Sequence, residues 1–372
     1  MSIYIFDKHL ILMSSYTVSA LKYRPQSFDQ VIGQELITST LINSINSNQI
    51  AQALLFCGPR GVGKTSCARI LAKAINDNNN DLTDSDYSFN IFELDAASNN
   101  GIEEIKRLNE QVRIPPRTGN YKVYIIDEAH MLSTSAFNAF LKTLEEPPKH
   151  AIFILATTEK NKIIPTILSR CQIYDFNLIP VDKITTFLEK ICKEKKVEYE
   201  KDALLIIAKK AEGAMRDALS ILDKIISYTK GKITRIEVSK NLNVLDYEVY
   251  LNLTELIKKN DITQIILEYD QIMSKGYETK YFISGLANHI RELILCKDPK
   301  TVNLISLNTE TKSLLLKQSE MLPTTWLIEA LNLIKKTELN HKASVNKRLN
   351  SELCLMQLAS LQINGEKKNL QK

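Results

Sequence analysis

Gly58-Pro59-Arg60-Gly61-Val62-Gly63-Lys64-Thr65 is the stretch on which the reading of this chain turns. It follows the apolar run Ala53-Leu54-Leu55-Phe56-Cys57 and leads into Cys67, Ile70, Leu71, Ala74 and Ile75, whose spacing predicts a helix. Strand, glycine-rich turn and helix, in that order, make a seat for phosphate. The glycines let backbone N–H groups face phosphate oxygens, and the helix points the positive end of its dipole at them. In such a loop the lysine, here Lys64, reaches β- and γ-phosphates, and the hydroxyl of Thr65 holds Mg²⁺. Residues Gly58 to Ser66 are therefore expected to bind ATP or GTP.

Working outward, the runs Phe89–Leu94, Val123–Ile126 and Ile152–Ala156 join Ala53–Cys57 as candidate strands. Each is apolar at nearly every residue, as expected of strands buried on both faces of a parallel sheet. Helical patterns separate them. The clearest is Ser135–Glu145, with Ala136, Phe137, Phe140, Leu141 and Leu144 on one face and Pro147-Pro148 closing it. The alternation predicts an α/β sandwich with helices on both faces of the sheet. The polar stretch Asn76–Asp86 has no core positions and reads as a surface loop. After Pro180 strand signals fade. Asp182–Glu194, Lys201–Ala211 and Met215–Tyr228 predict a compact helical unit, and Leu251–Lys259, Thr263–Ser274 and Tyr281–Leu295 predict a further, all-helical domain.

The run Val123–Ile126 ends in Asp127-Glu128. Hydrolysis of a γ-phosphate needs a metal anchor and a group that polarises the attacking water. Asp127 suits the Mg²⁺ shell and Glu128 suits the general base. His130 reads as a packing or hydrogen-bonding residue without a catalytic role. The run Ile152–Ala156 ends in Thr157-Thr158, where a hydroxyl either senses the γ-phosphate or orients the water, or the two are only β-branched residues at a strand end. Arg170, in Ser169-Arg170-Cys171, is either a solvated charge or a finger that reaches a neighbouring subunit's γ-phosphate. Arg216, just after Glu212-Gly213, could reach phosphates bound by its own chain. The residues alone leave these alternatives open.

A chain of 372 residues has room for two or three domains, and its formal charge of +5 fits a phosphate-bearing partner without requiring one. The six cysteines, Cys57, Cys67, Cys171, Cys192, Cys296 and Cys354, form no C-x-x-C pair, and the five histidines are scattered. No zinc site is expected, and widely spaced cysteines suit a reducing cytosol. The apolar stretches Ile3–Phe6 and Leu10–Met13 are interrupted by Asp7-Lys8-His9, lack a basic region before them and are too short to span a bilayer. A cytoplasmic protein without a membrane partner is expected, frayed at its N-terminus and with a short tail at Gly365–Lys372.

Several blocks together resemble the AAA+ ATPases and, more narrowly, the clamp loaders. Lys22-Tyr23-Arg24-Pro25, with Phe28 and Val31-Ile32-Gly33-Gln34, resembles the clamp-loader N-terminal motif. The blocks Asp95–Ile102, Asp127–Leu132, Leu141–Pro148, Ala156–Glu159, Ser169–Cys171 and Glu212–Leu219 resemble the bacterial DNA polymerase III gamma/tau family, in order. The resemblance implies an AAA+ P-loop domain over 21–179 after an N-terminal extension (1–20), a helical lid domain over 180–243 and a helical collar over 244–372 that oligomerises the loader. It implies that Arg24 and Val31 line the adenine pocket, that Thr157 is sensor 1, Arg170 the trans-acting finger and Arg216 sensor 2.

The implied activity is ATP hydrolysis by a motor subunit that loads the sliding clamp onto primer–template DNA within the DNA polymerase III holoenzyme, without polymerising DNA itself. Other clamp-loader subunits, the sliding clamp and primed DNA are the implied partners. The alternatives are another AAA+ DNA-remodelling motor or an archaeal/eukaryotic-type small clamp-loader subunit. The family usually carries a four-cysteine zinc module where this chain has its Asn/Asp-rich loop, so zinc is again not expected. The chain ends after the implied collar, like the short gamma form. Phosphate-directed DNA contacts are expected from Asn100, Lys106, Lys142 and Lys162.

Overall fold

The run Ala53–Cys57 forms strand β1, and all its residues are buried, because strands flank it on both sides and helices cover both faces. In the computed structural model, which describes residues 17–76, 89–116, 119–229, 231–305, 307, 309–341 and 343–361, the chain divides into two units that meet at Ile233/Thr234. The expected N-terminal fraying, most of the polar loop after Asn76 and the expected tail lie outside the described residues.

The first unit holds a five-stranded parallel sheet in the order β2-β3-β4-β1-β5. Its other strands are β2 (Ile91–Asp95), β3 (Lys122–Asp127), β4 (Ala151–Thr157) and β5 (Gln172–Asp175). Helices α2 (Glu35–Asn46) and α3 (Lys64–Asn76) cover the face presenting Leu54, Phe56, Ile152 and Ile154. Helices α4 (Ile102–Val112), α5 (Thr134–Glu145) and α6 (Pro165–Leu168) cover the face presenting Leu55, Tyr124 and Phe153. Alternate residues of one strand thus feed two separate cores, which is why the central runs are apolar throughout. The short turn of helix α1 (Ser19–Lys22) precedes α2.

Two features depart from the expectation. β2 is an edge strand, only partly buried, and Phe89 lies before it in a helical turn, 68% exposed. An edge position covers only one side of the strand, so its apolar run does not imply burial on both faces. β5 was not anticipated: Gln172-Ile173-Tyr174-Asp175 is short and polar at both ends, and only Tyr174 of the four is buried.

Beyond Pro180 come α7 (Val181–Glu194), α8 (Lys201–Lys210) and α9 (Met215–Thr229), packed on one another. A two-strand parallel pairing of β6 (Glu198–Tyr199) with β7 (Lys232–Ile233), unforeseen in the sequence, ties this helical group together. The second unit begins with α10 (Arg235–Asn241) and is helical among its described residues. A core built on Leu253, Tyr269, Phe282, Leu286, Trp326 and Leu355 joins α11 (Tyr247–Lys258), α12 (Ile262–Ser274), α13 (Thr279–Leu295), α16 (Thr324–His341) and α17 (Lys347–Ala359). Between α13 and α16 lie α14 (Pro299–Val302) and α15 (Thr309–Glu320). Among the described residues no helix is long and apolar enough to cross a membrane.

Candidate nucleotide-binding site

The glycine-rich loop leaves β1 at its carboxyl end, level with the ends of its neighbours. Cys57 is in register with Thr157 on β4 and Asp175 on β5, and Asp127 on β3 with Asp95 on β2. After β1, which lies between β4 and β5, the chain runs to β2 at the far edge of the sheet. In an open parallel sheet such a crossing is where ligands bind, outside the carboxyl ends of the strands.

A cavity of about 460 Å³ opens there. Arg60, Gly61, Val62, Gly63, Lys64, Thr65 and Ser66 form one wall, with Asp127 and Glu128 beside them. Val18, Leu21, Tyr23, Arg24 and Val31 form a second wall, and Phe187, Met215, Arg216, Leu219 and Ser220 of the helical group form a third. The sequence-predicted residues Arg24, Val31, Asp127, Glu128 and Arg216 are thereby brought to one cavity with the loop. Gly58 and Pro59 stand behind it and hold the lysine: Lys64 Nζ donates to the Gly58 and Pro59 carbonyls, each at 2.8 Å.

Lys64 is 5% exposed, and burial draws its ammonium below the usual lysine range, with Glu128 and Asp127 opposing that shift. Burial likewise lowers the Arg24 guanidinium, helped by the charges of Arg69 and Arg216. Cations crowded into a half-closed cavity favour an anion there, which relieves both desolvation and mutual repulsion. Thr65 Oγ1 donates to Asp127 Oδ2 at 2.8 Å, so hydroxyl and carboxylate already meet where the pair could share a hard cation. Arg24 Nε donates to Ser66 Oγ at 3.3 Å, fastening the second wall to α3.

Glu128 follows the strand in the left-handed region, at φ 47°, a turn that places its carboxylate at the cavity beside Asp127. Thr158 Oγ1 donates to Glu128 Oε2 at 3.0 Å. The His130 ring lies between two acids, with Nδ1 3.4 Å from Glu128 Oε2 and Nε2 3.4 Å from Glu159 Oε1. The same Nδ1 is 3.1 Å from Thr157 Oγ1, which also accepts the Glu159 N–H at 3.1 Å. Thr157 is fully buried and is not part of the cavity wall. His130, expected only to pack or bond, therefore links the ends of β3 and β4. Of the pair Thr157-Thr158 read from the sequence, Thr158 is the one whose hydroxyl meets Glu128. Sequence reasoning missed Leu219 and Ser220, although their i+3 and i+4 spacing from Arg216 marks one helix face.

Arg170 is away from the cavity. Its Nη2 donates to Glu145 Oε1 at 2.7 Å and its Nη1 to the Thr166 carbonyl at 2.7 Å. The residues expected to meet DNA lie on different elements. Lys106 pairs with Glu103 at 2.8 Å and Lys162 with Glu159 at 2.9 Å. Asn100 is exposed in the loop before α4, its carbonyl accepting the Ser133 N–H at 3.1 Å. Lys142 lies about 12 Å along α5 from the start of that helix at Thr134.

Three family models cover nearly the whole described chain. Residues 33–180 match the model for the DNA polymerase III delta subunit, and residues 183–231 that for the ATPase lid domain of the DNA polymerase III clamp loader subunit. Residues 233–372 match domain III of DNA polymerase III subunits gamma and tau. The DNA polymerase III subunit gamma of Buchnera aphidicola subsp. Baizongia pistaciae is 35% identical over 303 residues, 78% of this chain and 82% of that protein. The chain belongs to the DNA polymerase III gamma/tau family. The tau subunit of Bacillus subtilis is 36% identical over 358 residues, 92% of this chain. This gamma/tau chain spans 63% of the length of that relative and 51% of the Mycoplasma genitalium one. Among solved structures, the RuvB Holliday junction branch migration motor of Thermotoga maritima aligns over 68% of this chain and 89% of its own, at 20% identity and a TM-score of 0.48.

Proposed function

We propose that this chain is the ATP-hydrolysing AAA+ motor subunit of a bacterial replicative clamp loader, which loads the sliding clamp onto primed DNA within the DNA polymerase III holoenzyme. The observation that carries the proposal is the meeting of Lys64, Thr65, Asp127, Glu128, Arg24 and Arg216 at one cavity, in a chain of the gamma/tau family. Lys64 exchanges the Gly58 and Pro59 carbonyls for β- and γ-phosphate oxygens, and the loop N–H groups cradle the chain of phosphates. Thr65 and Asp127 would hold Mg²⁺, which supplies neutralisation of the charge that develops on the phosphates. The adenine lies between the wall of Val18–Val31 and the lid helix.

Glu128 takes a proton from the attacking water as the water oxygen bonds to the γ-phosphorus. The bond from that phosphorus to the β–γ bridging oxygen breaks, and ADP leaves with its electron pair. Thr158 and His130 orient the Glu128 carboxylate, and Arg216 meets phosphates from the lid. Arg170, absent from its own cavity, serves a neighbouring subunit in a ring with the other clamp-loader subunits. The sliding clamp and primer–template DNA are the partners on which the work is done, and the protein acts in the cytoplasm.

The test is steady-state ATP hydrolysis by the chain assembled with its partner subunits. Hydrolysis should rise most when sliding clamp and primed DNA are both present. A response to DNA alone, indifferent to the clamp, would assign the chain to another DNA-remodelling motor.

A further inference from the structure

The first unit contains a buried polar knot that none of the steps above uses. Asp223, on α9, is 7% exposed, and Ser19, the first residue of α1, is fully buried. The Ser19 N–H donates to Asp223 Oδ2 at 2.6 Å and its hydroxyl donates to Asp223 Oδ1 at 2.5 Å. Lys195, at the end of α7, donates to the Ser19 hydroxyl at 2.6 Å and to Asp223 Oδ1 at 3.0 Å. A carboxylate from one helix thus caps the start of another, and a lysine neutralises it. Charge-assisted bonds of this kind are roughly twice as strong as neutral ones.

Its position gives the knot a consequence for the cavity. Arg216, Leu219, Ser220 and Asp223 follow at helical spacing, so they share one face of α9. The first three of them line the cavity, and Asp223, which does not, stands one turn further along. At the other end of that face the Arg216 N–H approaches the Gly61 carbonyl at 3.4 Å. Residues 19–23 are held to the helical group: besides the knot, the Tyr23 hydroxyl donates to Glu194 at 3.1 Å, and the Tyr23 ring meets Phe187 edge-on. Arg24 then crosses to Ser66 on α3. The segment is a strap that lines the cavity and ties the lid to the phosphate-loop helix.

We infer that Asp223, Ser19 and Lys195 form a latch that sets how long a nucleotide is retained, by holding the strap closed on the lid over the base end of the cavity. These are positioning residues and touch no phosphate. The inference rests on the nucleotide-site reading above. It predicts that the latch affects ligands that carry a base and spares those that are phosphate alone.

The test uses the full chain with Ser19→Ala, which removes only the hydroxyl, and Asp223→Asn, which removes the charge. Dissociation of a fluorescent methylanthraniloyl-ATP is followed by stopped flow, and binding of inorganic tripolyphosphate by calorimetry. Asp223→Asn should release the fluorescent nucleotide about tenfold faster, and Ser19→Ala severalfold faster, the loss of about one charge-assisted hydrogen bond. Tripolyphosphate affinity should stay at the wild-type value in both. Wild-type release from Ser19→Ala and Asp223→Asn overturns the latch, as does an equal loss of tripolyphosphate binding. Lys64→Ala separates the two levels: it should abolish binding of both ligands, and binding that survives it overturns the nucleotide site itself.

Discussion

Gly58→Ala should destabilise the first unit far more than Gly63→Ala, although both glycines belong to the same phosphate loop. Gly58 has φ +147°, and a Cβ built on it would lie 2.4 Å from the Phe176 carbonyl oxygen and 2.9 Å from Phe176 Cβ. Phe176 has little room to retreat. Its N–H donates to the Cys57 carbonyl at 2.7 Å, its ring packs 5.2 Å from that of Phe56, and it is 3% exposed. Relief requires prising the end of β5 from β1. The backbone conformation costs about 1–3 kcal/mol for a residue with a Cβ. Overpacking adds about 1–3 kcal/mol, and a lost buried hydrogen bond about 1 kcal/mol. The sum is about 3–7 kcal/mol, comparable with the whole stability of many domains.

Gly63 is the control. Its φ is +108°, but the nearest atom to an added Cβ is Val31 Cγ1 at 4.0 Å, so only the backbone term of about 1–3 kcal/mol remains. Urea unfolding followed by far-UV circular dichroism measures both variants. The single tryptophan, Trp326, is 2% exposed in the core of the second unit and serves as an internal reference. The dichroism transition should move strongly for Gly58→Ala and modestly for Gly63→Ala, with the Trp326 fluorescence transition unmoved. Equal displacement by the two substitutions would refute the steric reasoning, since backbone strain alone would then account for both.

Glu128→Gln keeps a group that can accept from Thr158 but removes the base. It should bind ATP as the wild type does in equilibrium binding and hydrolyse it about 10²–10⁴-fold more slowly; hydrolysis at the wild-type rate would show that Glu128 is not the base. Arg170→Ala should leave ATP binding by the isolated chain unchanged and slow hydrolysis by the assembled complex about 10³-fold or more. An equal loss in the isolated chain would mean that Arg170 acts on its own nucleotide. In the second unit, burial holds the His289 imidazole down at about 4, and its Nε2 lies 3.0 Å from Gln318 Oε1. The unfolded imidazole takes a proton near its ordinary value of about 6.5 while the folded one does not, so the unit keeps its full stability above that pH and loses it as pH falls toward 4. The loss is about 3 kcal/mol at most, read as a falling urea midpoint of Trp326 fluorescence. A His289→Gln variant with the same pH slope would exonerate this histidine.

The parts of the site that were legible in the sequence are those whose chemistry is addressed to a ligand. Lys64, Thr65, Asp127 and Glu128 have to be those residue types wherever the strand ends fall, and they line one cavity. The central strands were legible for a related reason: burial on both faces leaves an unbroken apolar run, as in β4, which is buried at every position. β5 escaped because an edge strand of four residues with polar ends reads like many loops, and only its pairing of Leu54 to Cys57 with Gln172 to Asp175 identifies it. Phe89 misled in the opposite direction, an exposed aromatic beside a true strand.

The lid helix α9 shows where that legibility ends. Its face carries Arg216 at one end and Asp223 two turns later at the other, with Leu219 and Ser220 between them. Arg216 could be assigned from the sequence because a guanidinium following Glu212-Gly213 suits phosphates. Asp223 could not, because its partner is Ser19, 204 residues away, and no local pattern says which segment the fold will lay beside it. A solvated carboxylate and a buried helix cap look alike in one dimension. They differ in energy: removing one member of a buried, charge-assisted set leaves the others desolvated without a partner, whereas removing a solvated charge changes little. Ser19→Ala and Asp223→Asn therefore probe a contact selected by the fold, while Lys64→Ala probes one selected by the ligand. Loss of nucleotide retention without loss of phosphate binding is the signature by which the first kind of residue separates from the second.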